Sequence, residues 1–256
     1  MQKGILFHYL YDEQSALYFF QHIFTLRGNP DIDVFEKAWQ LVVDRHTILR
    51  TGFYWQEADK PLQIVYKLVK VPLHQHDWRD LESVQQKKHL ESFIISDLHQ
   101  GFDFSQPCQM RQTLIRLADD HYEFVWSYHF IIIVGWTGSL IMQDFMQIYE
   151  ALSQDQPISL APTRPFRDYS DWLQQQDISK AETFWRKALQ GIKTPTPLTC
   201  IEKIDQSSIQ EEKYEEERIK LSSTITQEIQ SLGIQNRLTL ATIINGIWAI
   251  LLGRYS

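Results

Sequence analysis

One histidine stands within an apolar run and is the first candidate for chemistry in this sequence. His129 lies among aromatic and aliphatic residues of a predicted strand over 122–133, shortly before Gly135 and Trp136. An imidazole can accept or donate a proton near neutral pH, so His129 could act as a general base. A buried histidine with satisfied hydrogen bonds is the commoner explanation of such a position. The residues alone leave both interpretations open.

The other charged and metal-binding residue types form patterns that are typical of structure rather than of catalysis. Asp119 and Asp120 fit a hairpin turn, and the acidic run 211–217 fits a solvated surface. His74 and His76 would project from one face of a strand, but no third ligand follows at a recognisable spacing, so we predict no metal site. The sequence also has no glycine-rich phosphate loop and no nucleophile elbow.

Composition limits the classes of protein to which this chain can belong. It has 256 residues, 43% of them hydrophobic, with 25 Lys and Arg against 32 Asp and Glu, a net charge of −7. That composition predicts a packed core and argues against a nucleic-acid partner. No apolar run approaches the roughly 20 residues that span a bilayer, so no membrane partner is expected. Two cysteines and no recognisable signal peptide favour a reduced, cytoplasmic protein.

The elements that must position these residues alternate between helical and strand periodicity, which predicts an α/β or α+β fold. A loop over 154–165 is expected to lead into a second part of the chain, which is mainly helical. Predicted helices cover 31–46, 81–98, 138–152, 169–190 (in one or two pieces), 223–232 with a Ser222 or Ser223 cap, and 239–255. Predicted strands cover 52–66, 71–76, 110–117, 122–133 and 214–221, with a hairpin turn at 118–121 and an exposed segment at 193–210.

Four segments occur in the order expected for one family, and the sequence resembles the condensation domain of nonribosomal peptide synthetases. Further segments at 101–111, 181–189 and 238–256 also fit, so the resemblance covers essentially the whole chain. The four segments are QKGILFHYLYD at 2–12, RHTILRTGF at 45–53, YHFIIIVGWTG at 128–138 and FRDYSDWLQQQ at 166–176.

The resemblance implies an α/β (α+β) two-layer sandwich like that of chloramphenicol acetyltransferase. In that interpretation, residues 1–165 form the N-terminal lobe, and 166–256 form connecting helices and the incomplete start of a second lobe. The implied reaction joins an acyl or peptidyl thioester to the amine of an aminoacyl thioester. Both substrates arrive on phosphopantetheine arms of peptidyl or acyl carrier proteins, and no cofactor is bound directly.

The resemblance also assigns site residues, and the match fails at the catalytic positions. The active-site motif of the family reads HHxxxDG, and its second His is the catalytic one. An ungapped alignment puts His129 at the first His, Phe130 at the catalytic His, Val134 at the Asp and Gly135 at the Gly. A phenyl ring can neither accept nor donate a proton, so we expect impaired condensation. A slipped alignment would keep His129 as the catalyst, but it needs an inserted residue and turns His129 to the other face of the strand.

Four further residues are implied to support the site: Arg45, His46, Arg50 and Trp136. In the family the motif Asp pairs with an arginine of the second motif. We expect Arg50 to be that arginine, facing Val134 without a partner. A buried arginine that loses its only partner would cost about 3–5 kcal/mol unless the site rearranges.

Two other functions remain open from the sequence. The chain could be a non-catalytic module that docks a carrier protein or a complementary C-terminal half. It could instead be an acyltransferase that uses coenzyme A, although that chemistry needs the same histidine. The helix predicted over 239–255 carries an apolar surface that is wider than one packed face requires. We therefore also expect self-association if no other part of the protein covers this surface.

Overall fold

The computed structural model describes residues 2–11, 17–56, 60–194 and 217–255. The chain forms two compact units, Met1–Gln176 (unit 1) and Asp177–Ser256 (unit 2). The lobe boundary predicted after residue 165 stays a prediction. Most of the segment 193–210, predicted to be exposed, lies outside the described residues.

Unit 1 mixes helices and strands, as the sequence predicted. Its strands are β1 (Phe19–Arg27), β2 (Thr51–Tyr54), β3 (Leu62–Val65), β4 (Leu73–Asp77), β5 (Met110–Ala118) and β6 (His121–His129). Its helices are α1 (Gln2–Tyr11), α2 (Ile32–Arg45), α3 (Ser83–Gln100), α4 (Gly135–Ser153) and α5 (Phe166–Gln174), with one 3-10 helix (Thr47–Arg50).

The main sheet places β6 between two neighbours. Its strand order is β1-β6-β5-β4, with β6 antiparallel to both β1 and β5 and with β4 parallel to β5. The predicted hairpin between β5 and β6 is confirmed. The predicted strand over 52–66 is instead a separate hairpin of β2 and β3. Strand β6 ends at His129 rather than at Ile133, because the N–H groups of Ile132 and Ile133 both bond to His129 O and turn the chain out of the sheet.

Helices cover both faces of this sheet. Alternation along β6 sends Trp126 towards α2, where its ring lies 5.3 Å from that of Trp39. The next residue, Ser127, faces α3 and bonds to Asp97 at 2.5 Å. Asp31 caps α2 by accepting from the N–H of Val34, and α2 buries an apolar stripe of period 3.6 against the sheet and α4. The stripe consists of Phe35, Ala38, Trp39, Val42 and Val43.

Unit 2 contains α6 (Ile178–Ala188), α7 (Ser223–Asn236) and α8 (Leu240–Tyr255) within its described residues. Ser222 caps α7 as predicted, since its hydroxyl accepts from the N–H of Ile225 at 3.3 Å. The predicted strand over 214–221 is wrong for 217–221, where the described part of unit 2 offers no second strand to pair with it. Residues 214–216 lie outside the described residues. No single helix in the described ranges has the length and apolar character to cross a membrane.

Candidate functional site

A cleft of about 1170 Å³ opens in unit 1 where four segments of the chain meet. It is lined by α1, by the end of α2 with the 3-10 helix, by the connection between β6 and α4, and by α5 with the residues before it. These segments are the four that carry the family resemblance, although they lie far apart along the chain. The fold therefore gathers the four motifs around one cavity.

The cavity wall is mainly apolar, with a few charged groups. Such a surface can enclose an extended ligand that carries both apolar and hydrogen-bonding groups. Apolar and aromatic lining residues are Ile5, Ile48, Phe130, Ile131, Ile132, Val134, Phe166, Tyr169, Trp172 and Leu173. Charged and imidazole-bearing lining residues are Lys3, Arg45, His46, Arg164 and Asp168.

Phe130 stands directly after the last residue of β6 and forms part of the cavity wall. Its N–H donates to Tyr18 O at 2.8 Å, which continues the pairing of β1 with β6 by one residue. Its ring stacks on that of Tyr18 at 6.1 Å and lies 5.4 Å from the ring of Phe20. This environment suits an aromatic hydrocarbon, and the phenyl ring of Phe130 itself has no group that can donate or accept a proton.

His129 is adjacent in sequence but does not line the cavity. Only 7% of it is exposed, and its ring packs edge-on against Phe104 at 4.6 Å. Its Nδ1 accepts a hydrogen bond from the N–H of Ile131 at 3.1 Å. Burial lowers the pKa of His129 to about 4, while a hydrogen bond to the Leu17 backbone acts in the opposite direction. At neutral pH this imidazole is therefore uncharged, and one of its two nitrogens is already an occupied acceptor.

The residues after Phe130 begin α4. Val134 lines the cavity and is the N-cap residue of α4, but its side chain cannot cap the helix. A Cβ added at Gly135 would meet no described atom within 4 Å, so sterics do not require glycine there. Trp136 is 87% exposed and is not part of the cavity wall. The assignments of Gly135 to the active-site motif and of Trp136 to a supporting role stay predictions.

Arg50 does not lack a partner, which corrects the expectation from the sequence. Its guanidinium donates to the carbonyl oxygens of Val43, Asp44, Tyr66 and Lys67. Arg50 thus joins the end of α2 to the segment after β3, and it is not among the cavity-lining residues. The N–H donors of the guanidinium therefore have acceptors without a carboxylate at position 134.

Arg45 and His46 lie on the cavity wall and share a carboxylate that the sequence analysis missed. Arg45 Nε and His46 Nε2 each lie 2.8 Å from Asp144 Oδ2, on the third turn of α4. Arg45 also donates to Ala161 O, just before the segment that leads into α5. The sequence did contain a signal for this contact, because Asp144 is a carboxylate within a mainly apolar helix. A charge that becomes half-buried in such a helix needs a partner.

Outside this cavity the described residues offer little for catalysis. In the described ranges, no group of three or more His, Cys, Asp or Glu side chains could hold a metal ion. His74 and His76 lie on the exposed strand β4. Asp119 and Asp120 lie in the hairpin turn, as predicted, and Asp119 also pairs with Arg79.

Comparison with known proteins gives the family. The family model described as Condensation domain matches residues 1–256. A protein of the linear gramicidin synthase of Brevibacillus parabrevis is 39% identical over 256 residues, which make up 100% of this chain and 3% of that protein. Bacitracin synthase 3 of Bacillus licheniformis is 34% identical over 256 residues, 100% of this chain and 4% of that protein. The chain thus spans a small part of the curated relatives that it matches.

Solved structures of low sequence identity share the fold. The starter condensation domain of rhizomide synthetase RzmA matches with a TM-score of 0.67 and 20% identity, over 77% of this chain and 48% of that chain. The first condensation domain of the calcium-dependent antibiotic synthetase, in complex with substrate analogue 2a, gives a TM-score of 0.65 and 17% identity over the same shares. These likenesses confirm the predicted mixed α/β fold class. With a family model that covers its whole length, the chain belongs to the condensation domains of nonribosomal peptide synthetases.

Proposed function

We propose that this chain is a condensation domain portion whose own residues no longer support ordinary amide formation. In the reaction of the family, the amine nitrogen of one carrier-bound thioester attacks the carbonyl carbon of another. A C–N bond forms, the C–S bond breaks, the nitrogen loses a proton and the thiol leaves. The substrates would arrive on phosphopantetheine arms of peptidyl or acyl carrier proteins, with no cofactor bound by the chain itself.

The observation that carries the proposal is which of two neighbouring residues lines the cavity. Phe130, the residue aligned with the catalytic histidine, faces the cavity, whereas His129 is buried with its Nδ1 occupied. This arrangement favours the ungapped alignment over the slipped one. A catalytic group must reach the reacting nitrogen, and among the described residues the only imidazole on the cavity wall is that of His46.

The test measures amide formation from carrier-bound donor and acceptor thioesters. The assay uses the chain alone and the chain mixed with a complementary C-terminal half. We expect no amide above the uncatalysed rate from the unmodified chain and a gain with Phe130→His. General acid–base catalysis by a positioned side chain contributes about 10²–10⁴-fold, which sets the scale of the possible gain. Robust condensation by the unmodified chain would refute the proposal.

A matched control is available on another segment of the cavity wall. Phe166→His introduces the same imidazole into the same cavity, but from α5. We expect no gain with this variant, because the position rather than the presence of an imidazole decides catalysis. An equal gain from Phe166→His would show that position 130 is not the catalytic slot.

The position of the Asp in the active-site motif, which is Val134 here, is tested by the double variant Phe130→His with Val134→Asp. Arg50 and Arg45 already have partners, so neither of these two second-motif arginines awaits a carboxylate at position 134. The new carboxylate would instead cap α4, which begins directly behind the reacting position. We expect the double variant to exceed Phe130→His only modestly, through a better ordered start of α4.

A non-catalytic docking role is the second candidate, and the exposed apolar residues of unit 2 favour it. Large apolar side chains on α6 and α8 are more than half exposed, among them Phe184, Trp185, Ile247, Trp248 and Ile250. A surface of this kind is typical of an interaction site. The occupant that we propose is a complementary C-terminal half, since the chain corresponds to about half of the solved chains that it resembles.

The docking role has its own measurement. Light scattering at micromolar concentration should show self-association of the chain alone and a defined one-to-one complex once the complementary half is added. A Trp248→Ser variant should weaken both associations. A monodisperse monomer that does not bind the complementary half would refute the docking role and leave the proposal about amide formation untouched.

A further inference from the structure

A carboxylate outside the cavity binds two side chains of the cavity wall. Asp144 Oδ2 accepts from Arg45 Nε at 2.8 Å and lies 2.8 Å from His46 Nε2. Asp144 is not itself a lining residue, so it can act on a ligand only through these neighbours. All three side chains are about one-fifth exposed or less, where competition from water is reduced.

This contact decides which nitrogen of neutral His46 carries the proton. An ionised carboxylate only accepts hydrogen bonds, and Asp144 Oδ2 already accepts one from Arg45 Nε. The atom that faces Asp144 Oδ2 is His46 Nε2, so that nitrogen must be the N–H donor. Nδ1 then keeps its lone pair, and no hydrogen bond to it is found within the described residues.

We propose that Asp144 is a positioning residue that holds His46 as its Nε2–H tautomer, so that Nδ1 accepts a hydrogen bond from an amide or amine N–H of a ligand in the cavity. The inference rests on the proposed function only in taking this cavity as the ligand site. His46 is suited to this task because it is the one imidazole on the cavity wall in the part of the chain that the structure describes. Chains that carry several amide N–H groups, as pantetheine does, belong to the ligand class that it would recognise.

The first experiment measures the tautomer in the chain without ligand. Long-range proton–nitrogen correlation spectra of ¹⁵N-histidine-labelled protein are recorded at about pH 8.5, where an ordinary imidazole is neutral. The His46 signals are assigned by their loss in His46→Gln. We expect the Nε2–H pattern in the unmodified chain and in Asp144→Glu, and a mixture of tautomers in Asp144→Asn. An Nδ1–H pattern or an equal mixture in the unmodified chain would overturn the proposal, even if Asp144→Asn does not fold.

Asp168→Asn is the matched control, because Asp168 is a carboxylate on the same cavity without a hydrogen bond to His46. We expect this variant to keep the tautomer pattern of the unmodified chain. A change equal to that of Asp144→Asn would mean that general cavity charge, not the contact, sets the tautomer.

The second experiment adds pantetheine to the same labelled protein. We expect a saturable shift of the His46 Nδ1 signal and about three- to tenfold weaker binding in Asp144→Asn, the effect of one hydrogen bond. Absence of binding, or binding that leaves the Nδ1 signal unchanged, would overturn the recognition step. Neither experiment depends on amide formation, so its failure is distinct from failure of the proposed function.

Discussion

Removal of one buried carboxylate should destabilise unit 1 far more than removal of an exposed one. Asp97, on α3, has a side chain that is only 5% exposed. Its Oδ1 accepts from Arg111 Nε at 2.7 Å, and its Oδ2 accepts from Ser127 at 2.5 Å and from Gln21 at 2.7 Å. These three partners lie on neighbouring strands of the sheet, so Asp97 fastens α3 to β1, β5 and β6.

The magnitude follows from the charge that Asp97→Ala leaves behind. The Arg111 side chain is only 17% exposed, and breaking a buried ion pair by removing one member costs about 3–5 kcal/mol. Arg111 keeps hydrogen bonds to the Gly101 and Asp97 carbonyl oxygens and a cation–π contact with Phe102 at 4.4 Å. We therefore expect a loss of about 3 kcal/mol in the free energy of unfolding, at the lower end of that range.

Urea unfolding followed by far-UV circular dichroism measures this loss, with Asp119→Ala as the control. Asp119 also pairs with arginine, but its side chain is 86% exposed, so that variant should lose less than about 1 kcal/mol. The double variant Asp97→Ala with Arg111→Met should be no less stable than Asp97→Ala alone, because it removes the unpaired charge. Equal losses for the two single variants would refute the argument from burial.

Three further outcomes follow from the structure. The pKa of His129 falls from 6.5 to about 4 on folding, so on acidification the unfolded chain binds this proton at a higher pH than the folded chain. The free energy of unfolding should therefore decrease as the pH falls from 6.5 to about 4. In urea unfolding measured over this pH range, His129→Asn should weaken that decrease. Burial raises the pKa of Cys108 to about 12. In a Cys200→Ser background, alkylation of Cys108 at pH 8 should therefore be far slower in native than in urea-unfolded protein. Equal rates would contradict the burial of this thiol. Val134→Asp should cap α4 and raise the free energy of unfolding by about 1 kcal/mol; an unchanged melting temperature would show that the carboxylate does not cap.

Much of the fold could be predicted because local patterns are strong in this chain. The apolar stripe of α2 has the helical period that predicted this helix, and the turn residues between β5 and β6 predicted their hairpin. Strand β1 was missed although its aromatic and aliphatic run ends at Gly28, a turn signal. Its burial does not alternate cleanly, since long-range pairing with β6 rather than local periodicity holds it in place.

The family and the four motifs could be read from the order of the residues, as could the alignment that predicts Phe130 and Val134 at the catalytic positions of the family. Which side chains share the cavity could not, because that depends on where β6 leaves the sheet. The turn after His129 directs one residue into the core and the next to the cavity. The charge partners likewise depend on packing. Arg50 binds carbonyl oxygens, and Arg45 meets Asp144 from 99 residues away, a contact that the packing of α4 beside α2 creates and no local spacing encodes.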